Sequence, residues 1–169
     1  MSDAADAAAQ PVVSPEVSAI ERSLNEYAHF ASRARQHERL MAITALPLDR
    51  SAAATLRQLA DAEPARIGEL ATRLAVEASH VTRQVQALEK TGYVARTADP
   101  EDGRAQLVRL TGLGRDAVER IRTVSRHGMQ QVLENWPTED VERLAVLIRR
   151  MVDDFIAHAE DESRYRFPE

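Results

Sequence analysis

The stretch from residue 66 to residue 111 constrains the fold more than any other part of the chain, because the spacing of its apolar residues changes from helical to strand-like. Two short segments with helical spacing come first. Their apolar residues are Ile67, Leu70, Ala71 and Leu74, then Val81, Val85 and Leu88. Two segments with the alternation and β-branched content of strands follow at once. The order helix, turn, helix, strand, loop, strand predicts a winged helix-turn-helix.

The second of these helices, expected over residues 79–90, carries polar side chains opposite its apolar stripe. The candidate DNA-binding residues on this face are Ser79, His80, Thr82, Arg83, Gln86 and Lys90. All six can donate a hydrogen bond, and side chains of these types suit base edges and phosphates in a DNA major groove. A polar helix face is more often simply solvated, so the face alone leaves both interpretations open.

The segments after Gly92 have the composition of a β-hairpin. Gly92 is placed to end the second helix, and residues 93–96 and 106–110 are expected to be the two strands. The loop between them, TADPEDGRA, is rich in turn formers and carries Arg104. A cationic hairpin tip beside a helix-turn-helix indicates a wing.

The wing region also carries a family signature. The residues that match the pattern D-x-R, five residues, L-T, two residues, G are Asp102, Arg104, Leu110, Thr111 and Gly114. In this the chain resembles the MarR family of bacterial transcriptional regulators, from about Val17 to about His158. The resemblance implies that Arg104 enters the minor groove and that Asp102 orients its side chain; a narrow minor groove attracts an inserted guanidinium. The alternative is that these two residues only hold the hairpin turn together.

The net charge of −5 is unusual for a DNA-binding chain, because cations that displace counterions from phosphates supply much of the affinity. The charge is unevenly distributed, however. Residues 64–115 contain eight basic and six acidic residues, a net of +2, so the rest of the chain carries about −7. A mildly basic DNA-binding region on an acidic remainder would repel DNA from the other faces.

The composition argues against several other classes of protein. The absence of cysteine excludes disulfides, thiolate nucleophiles and cysteine metal sites. No apolar run approaches the roughly 20 residues that a membrane span needs. The N-terminus lacks the pattern of a signal peptide. We therefore expect a cytoplasmic protein with no membrane partner.

The sequence contains no recognisable catalytic or cofactor motif, and we predict that the protein is not an enzyme and has no cofactor. The glycine pair Gly112 and Gly114 follows a strand but lacks the third glycine of a dinucleotide-binding loop, and there is no GxSxG motif. The five histidines form no HExxH motif or tight cluster, so no metal site is expected.

The remainder of the chain is expected to be helical, which gives a mainly α fold. The expected helices run from Val17 to about Ile43, from Ser51 to before Pro64, from a Thr111 cap to Asn135, and onward from Thr138. The expected domains are a flexible tail over 1–16, a helical dimerisation region over 17–46 and 112–160, a winged helix-turn-helix DNA-binding domain over 50–111, and a tail over 161–169.

The first and last long helices carry apolar stripes wider than the small winged module could cover. Burial of such stripes, at about 25 cal/mol per Å², favours packing them against each other and against a second copy. The MarR resemblance implies the same arrangement, since terminal helices build a two-fold dimer in that family. We therefore expect a homodimer, and the alternative is a monomeric helical domain with a self-contained core.

The resemblance also implies an effector site. Most relatives respond to small anionic or aromatic ligands in a crevice between the dimer body and the DNA-binding head. The candidate ligand-binding residues on the first helix are Tyr27, His29, Phe30, Arg33 and His37. Aromatic and histidine side chains on a helix more often belong to a core or an ordinary surface, so that interpretation stays open beside this one.

Together these features predict a sequence-specific, double-stranded-DNA-binding transcriptional regulator. Most relatives repress, so we expect a repressor that binds a pseudo-palindromic operator as a homodimer and is relieved by a small-molecule ligand. The alternative is a winged-helix protein that acts in protein contacts or in nonspecific DNA binding. That alternative predicts apolar residues on the outer face of the second helix, whereas this face is polar.

Overall fold

The computed structural model describes residues 13–102 and 105–160, and for residues 159 and 160 it describes the backbone alone. The described elements, in chain order, are α1 (Pro15–Ser32), α2 (Ala34–Thr44), α3 (Arg50–Asp61), β1 (Ala65–Arg66), α4 (Ile67–Leu74), α5 (Ala78–Lys90), β2 (Val94–Ala98), β3 (Gln106–Leu110), α6 (Gly112–Leu133) and α7 (Thr138–Glu160). The predicted mainly helical fold with a winged helix-turn-helix is confirmed. Residues 1–12 and 161–169 of the predicted tails, and Arg104 of the predicted wing tip, lie outside the described residues.

The helix-turn-helix is built on a core to which both predicted apolar stripes contribute. Leu70 of α4 and Val81 and Val85 of α5 are fully buried. They belong to one apolar cluster that also contains Leu56 of α3 and Ile121 of α6. Because the apolar stripe of α5 faces inward, the opposite side of this helix is turned outward.

The wing hairpin pairs with a third strand that was not predicted from the sequence. β2 and β3 are antiparallel neighbours, with Val94 opposite Leu110. β1 adds to the other edge of β3 by pairing Ala65 with Val108, so the strand order is β1-β3-β2. A strand of two residues is too short to show alternation, and it therefore gave no local signal.

The first long helix is interrupted, so the prediction of one continuous helix from residue 17 to about residue 43 is wrong. α1 ends at Ser32, and Arg33 adopts an extended conformation (φ −62°, ψ 134°) before α2 begins. No proline or glycine marks the break. The Arg33 carbonyl accepts hydrogen bonds from the backbone N–H of Gln36 (3.0 Å) and from the guanidinium of Arg50 (3.1 Å). Since Arg50 lies far along the chain, local spacing could not reveal this break.

The helix before the helix-turn-helix, α3, begins slightly earlier than predicted. Its N-cap is Asp49, whose carboxylate accepts a hydrogen bond from the backbone N–H of Ala52 (2.7 Å). Ser51, the predicted start, is the second residue of the helix, and its hydroxyl oxygen lies 2.9 Å from Nε2 of His80 on α5. This hydrogen bond ties the first turn of α3 to the first turn of α5.

α6 begins at the Leu-Thr-x-x-Gly part of the wing signature. The Thr111 hydroxyl accepts a hydrogen bond from the Gly114 N–H (3.1 Å), which caps the helix as predicted, and donates one to the carbonyl of Gly92 (2.6 Å). Gly114 packs so closely on the Tyr93 carbonyl that a Cβ at this position would overlap that oxygen. Gly92 itself ends α5 with a φ of 78°, as predicted. Thr111 and Gly114 thus join the last strand of the hairpin to the C-terminal end of α5.

The described residues fall into two compact units. One comprises the chain up to His29 together with the residues from Gln131 onward; the other runs from Phe30 to Gln130 and contains the winged helix-turn-helix. α2 and much of α6 therefore pack with the winged module, and Met41 and Val118 belong to its core.

The terminal helices present large apolar side chains to solvent. Those that are at least half exposed on α1 and α7 are Val17, Ile20, Tyr27, Val146, Leu147, Phe155 and Ile156. Within the described part of the chain, no helix combines the length and the apolar content needed to cross a membrane.

Candidate nucleic-acid interface

One face of α5 is polar and exposed along its whole length. The exposed residues on this face are Ser79, Arg83, Gln86 and Lys90. Successive members are four, three and four residues apart, so they share one side of the helix. The opposite side is the buried stripe of Val81, Val85 and Leu88. The structure therefore brings these four of the six predicted residues together on one outward surface.

The two flanking residues, Thr82 and His80, are half-buried and already have partners within the protein. The Thr82 hydroxyl donates to the carbonyl of Ala78 (2.8 Å), which leaves its oxygen able to accept a further bond. His80 is held through Nε2 by Ser51. Sequence reasoning missed the role of Ser51, because nothing in the local pattern connects residues 29 positions apart.

The turn between α4 and α5 leaves an open groove beside the N-terminal half of α5. Ala75 takes the left-handed conformation (φ 52°) and ends α4, and the chain re-enters a helix at Ala78. The groove has a volume of about 840 Å³ and its lining includes Thr72, Ser79 and Arg83. The side chains at the start of α5 are therefore reachable by a large ligand.

The base of the wing loop is held by a carboxylate that was not among the predicted site residues. Asp99 is 6% exposed and accepts two hydrogen bonds from the Arg66 guanidinium, from Nε at 2.8 Å and from Nη2 at 2.5 Å. Both nitrogens donate to the same carboxylate oxygen, Oδ2, and the planar guanidinium fixes the direction of this contact as well as its distance. The loop that contains Asp99 was predicted from its turn formers, but Arg66 lies 33 residues upstream of Asp99 and gave no local signal of this contact.

The charges of this pair stabilise each other. Hydrogen bonds to the Asp99 carboxylate, first from the backbone N–H of Glu101 (2.9 Å) and then from Arg66, hold the pKa of Asp99 below its usual range. The same contact with Asp99 raises the pKa of Arg66. Both groups therefore remain charged at neutral pH.

Asp102, the predicted wing-orienting residue, is exposed at the end of the described part of the loop. Its carbonyl accepts a hydrogen bond from the backbone N–H of Ala105 (2.8 Å). Its predicted partner, Arg104, lies outside the described residues, so the pairing of these two side chains remains a prediction.

One of the predicted ligand-binding residues lines a cavity. His37 lines a cavity of about 270 Å³ together with Gln36, Arg50 and Arg57, and its Nε2 lies 2.9 Å from the carbonyl oxygen of Leu48. Burial and then the proximity of Arg122 lower the pKa of Arg57. The surroundings of this cavity are cationic and suit an anion.

The other four predicted ligand-binding residues lie on α1 and at the break that follows it. Tyr27 and Phe30 are 60% and 49% exposed on α1, and His29 on the same helix is also exposed. Arg33 occupies the break between α1 and α2. These four stay a prediction from resemblance alone.

Comparisons with known proteins bear directly on the family. The model described as "MarR family" matches residues 48–105, which contain α3, α4, α5, β2 and the described part of the wing loop. The chain is 36% identical over 109 residues to a Bacillus subtilis protein named "Uncharacterized HTH-type transcriptional regulator YxaD", across 64% of this chain and 76% of that relative. This chain belongs to the MarR family.

Solved structures agree with this MarR assignment at the level of the fold. A MarR family protein from Bacillus stearothermophilus superposes with a TM-score of 0.72 at 21% identity, over 86% of this chain and 99% of that chain. The transcriptional regulator Tm0710 from Thermotoga maritima gives a TM-score of 0.61 at 24% identity, over 85% of this chain and 98% of that chain.

A further relative carries a more specific name. The Pseudomonas putida protein named "HTH-type transcriptional repressor IacR" is 32% identical over 78 residues. The alignment covers 46% of this chain, and the chain spans about half the length of IacR, 47%. The predicted class of helix-turn-helix transcriptional regulator is therefore confirmed, and the finer properties are taken up as proposals.

Proposed function

We propose that this MarR-family regulator reads DNA with α5 in the major groove and the wing in the adjacent minor groove. The observation that carries the proposal is the exposed polar face of α5, which is turned outward because the opposite stripe is buried. An α-helix fits the major groove of B-DNA, where each base pair presents a distinct pattern of donors and acceptors. A protein-docking surface of the same size would place apolar side chains at its centre.

The residues on α5 divide by chemistry into two groups. Arg83 and Gln86 suit base edges, because a guanidinium can bond two guanine acceptors and a side-chain amide can pair with adenine. Ser79, Lys90 and the free acceptor of Thr82 suit base edges or phosphates at the margins. Contacts of the second kind set the register of the protein on DNA, and contacts of the first kind set its sequence preference.

His80 and the wing complete the proposed interface. His80 is anchored to α3 by Ser51, so it combines a DNA-facing position with a role in fixing the start of α5. Arg104 is assigned to the minor groove, with Asp102 orienting its side chain, on the basis of the family signature. A guanidinium in a narrow minor groove meets the concentrated negative potential of two phosphate backbones.

Homodimerisation is the second part of the proposal. The exposed apolar side chains of α1 and of α7 support it, because groups of exposed large apolar side chains mark interaction surfaces. A two-fold dimer holds two copies of α5 about one turn of DNA apart and therefore selects a pseudo-palindromic operator.

Repression relieved by a small anionic or aromatic ligand is the third part. The name of IacR supports repression as the direction of control. The cationic cavity beside His37, lined by Arg50 and Arg57, supports an anionic effector. A ligand acts by binding more tightly to a conformation that does not fit DNA, which shifts the population away from the bound state.

The test of base reading is a titration of single-residue variants against two kinds of duplex at two salt concentrations. One duplex is an operator that the full-length protein selects from a random pool, and the other is a random duplex. Arg83→Ala and Gln86→Ala should each weaken binding to the operator by about 1 to 3 kcal/mol and bring it closer to the random duplex. Arg104→Ala should reduce affinity and lower the salt slope by about one phosphate-equivalent contact.

The matched control is Arg149→Ala, which removes one arginine charge from α7, outside the winged unit. It should leave both affinities close to those of the wild type. Equal losses for all three test variants on both duplexes would contradict base reading by α5 and would favour nonspecific binding.

A further inference from the structure

The Arg66–Asp99 ion pair connects the start of the helix-turn-helix to the base of the wing loop. Arg66 immediately precedes α4, and Asp99 immediately follows β2. Nε and Nη2 of Arg66 both donate to Oδ2 of Asp99, at 2.8 and 2.5 Å, and Asp99 is 6% exposed. The contact therefore spans two parts of the winged module that are proposed to engage DNA in different grooves.

Asp99 also organises the loop in which it lies. Its carboxylate accepts a hydrogen bond from the N–H of Glu101 (2.9 Å), and its own N–H donates to the carbonyl of Ala105 (3.0 Å). The Ala105 N–H in turn donates to the Asp102 carbonyl (2.8 Å). The two ends of the loop are thereby joined through Asp99 and the residues bonded to it.

Arg66 is equally fixed on the other side. The backbone N–H of Arg66 donates to the Glu69 carboxylate (3.1 Å) in the first turn of α4. Arg66 also lies opposite Leu107 in the antiparallel pairing of β1 with β3. The guanidinium therefore projects from a backbone position that both a helix start and a strand hold in place. A planar guanidinium held at its backbone in this way fixes both the direction and the length of its contact with Asp99.

We propose that Arg66 and Asp99 are positioning residues for DNA binding, which fix the wing hairpin relative to α4 and α5 so that both can engage one duplex. The proposal rests on the proposed function. Neither residue needs to touch DNA for this role, because the pair acts through the hairpin that it orients.

If the Asp99 charge acted on DNA only through electrostatic repulsion, its removal would change DNA affinity in the opposite direction. The direction of the change in affinity therefore tests the proposal. Removal of an acidic group close to DNA should strengthen binding, because it removes repulsion from the phosphates. Loss of a positioning contact should weaken binding. The neighbouring Glu101→Gln substitution removes the same charge from the same loop without breaking the pair with Arg66, and it is the matched control.

The experiment compares full-length Asp99→Asn, Arg66→Lys and Glu101→Gln on the selected operator. We expect Asp99→Asn to weaken binding about tenfold, the size of one lost charge-assisted hydrogen bond. Glu101→Gln should bind as well as the wild type or more tightly. Arg66→Lys keeps the charge but replaces the two guanidinium N–H groups that meet Oδ2 of Asp99 with a single ammonium, so it should weaken binding in the same direction. Tighter operator binding by Asp99→Asn would overturn the proposal. If Asp99→Asn does not fold, the direction of the change in operator affinity is taken from Arg66→Lys, and tighter binding by that variant would overturn the proposal.

A double-mutant cycle with Arg104→Ala identifies the route of the effect. If the pair acts through the wing, adding Asp99→Asn to Arg104→Ala should change affinity by less than about twofold. Hydroxyl-radical protection in the minor groove should be lost in Asp99→Asn, whereas dimethyl sulfate protection of guanine N7 in the major groove should persist. A purely structural role would reduce both kinds of protection together and would overturn the proposal.

The outcomes separate this inference from the function on which it rests. If Arg104→Ala and Arg83→Ala both leave binding unchanged, the proposed mode of DNA binding is wrong and the inference fails with it. If both weaken binding but Asp99→Asn adds its full effect in the Arg104→Ala background, the proposed function stands and the inference alone is wrong.

Discussion

At Asp99 the folded chain favours the ionised carboxylate over the protonated form. The N–H of Glu101 and the guanidinium of Arg66 both bond the charged form, so the pKa of this carboxyl is lower in the folded state than in the unfolded state. A group of this kind links stability to pH, because the folded state binds its proton less readily than the unfolded state does.

The contribution of Asp99 to stability should therefore be complete at neutral pH and disappear in acid. It is fully present above the unfolded pKa of about 3.9 and is lost as the pH falls through the lower folded value. We expect Asp99→Asn to melt below the wild type at neutral pH and the two melting temperatures to converge in acid, as measured by circular dichroism. Glu101→Gln should follow the wild type at each pH. A gap between wild type and Asp99→Asn that stayed constant with pH would show that the ionised form is not what stabilises the fold.

Single residues differ in how well the sequence predicts their place. The exposed positions of Ser79, Arg83 and Gln86 followed from helical spacing, because the face opposite a buried stripe must point outward. The Arg66–Asp99 pair could not be predicted in the same way. Its two members lie on different elements, and only the pairing of β1 with β3 brings those elements together.

The joint between the wing and α6 depends on the absence of a side chain at Gly114. A Cβ there would overlap the Tyr93 carbonyl oxygen, so Gly114→Ala requires the backbone to move. We expect a loss of about 1 to 3 kcal/mol in the free energy of unfolding, as is usual for overpacking at a close contact. Urea unfolding followed by circular dichroism measures this loss.

Gly112→Ala, two residues earlier in the same helix, is the control for Gly114→Ala. A Cβ at Gly112 meets no atom within 4 Å, so this variant should be as stable as the wild type or slightly more stable. Equal stability of the two variants would mean that the close approach at Gly114 is not a source of strain.

Elements with local signals were predicted well, and elements stabilised by distant partners were not. β3 begins and ends at the predicted residues, and α5 begins within one residue of the predicted position, because alternation and helical spacing are visible in short windows. The break at Arg33 has no proline or glycine, and the Arg50 guanidinium satisfies its carbonyl from another helix. Such a break is a tertiary effect, and helical propensity alone cannot reveal it.

At the scale of the whole molecule, the exposed apolar surface of α7 predicts association. Phe155, 56% exposed, is one of several large apolar side chains exposed on α7, and a group of such side chains marks an interaction surface. We expect the wild type to sediment as a dimer at micromolar concentration and Phe155→Glu to sediment as a monomer, because burying an unpaired carboxylate is costly. The monomer should also bind the operator much more weakly, since it holds one half-site only.

The control for Phe155→Glu is Asp153→Asn, a change of one exposed polar residue on the same helix. This variant should remain a dimer, and both variants should keep the helical circular-dichroism signal of the wild type. A wild type that sediments only as a monomer would refute the dimer and, with it, the preference for a pseudo-palindrome.

The Thr111 hydrogen bonds have a consequence for how this protein can change over evolutionary time. Both feet of the hairpin are anchored, one at Gly92 after α5 and the other at the first turn of α6, and the loop between β2 and β3 forms its far end. Insertions or deletions at that far end would alter the reach of the hairpin without disturbing its footing. The length of the loop is therefore a variable that selection can adjust to new DNA targets while the rest of the chain stays in register.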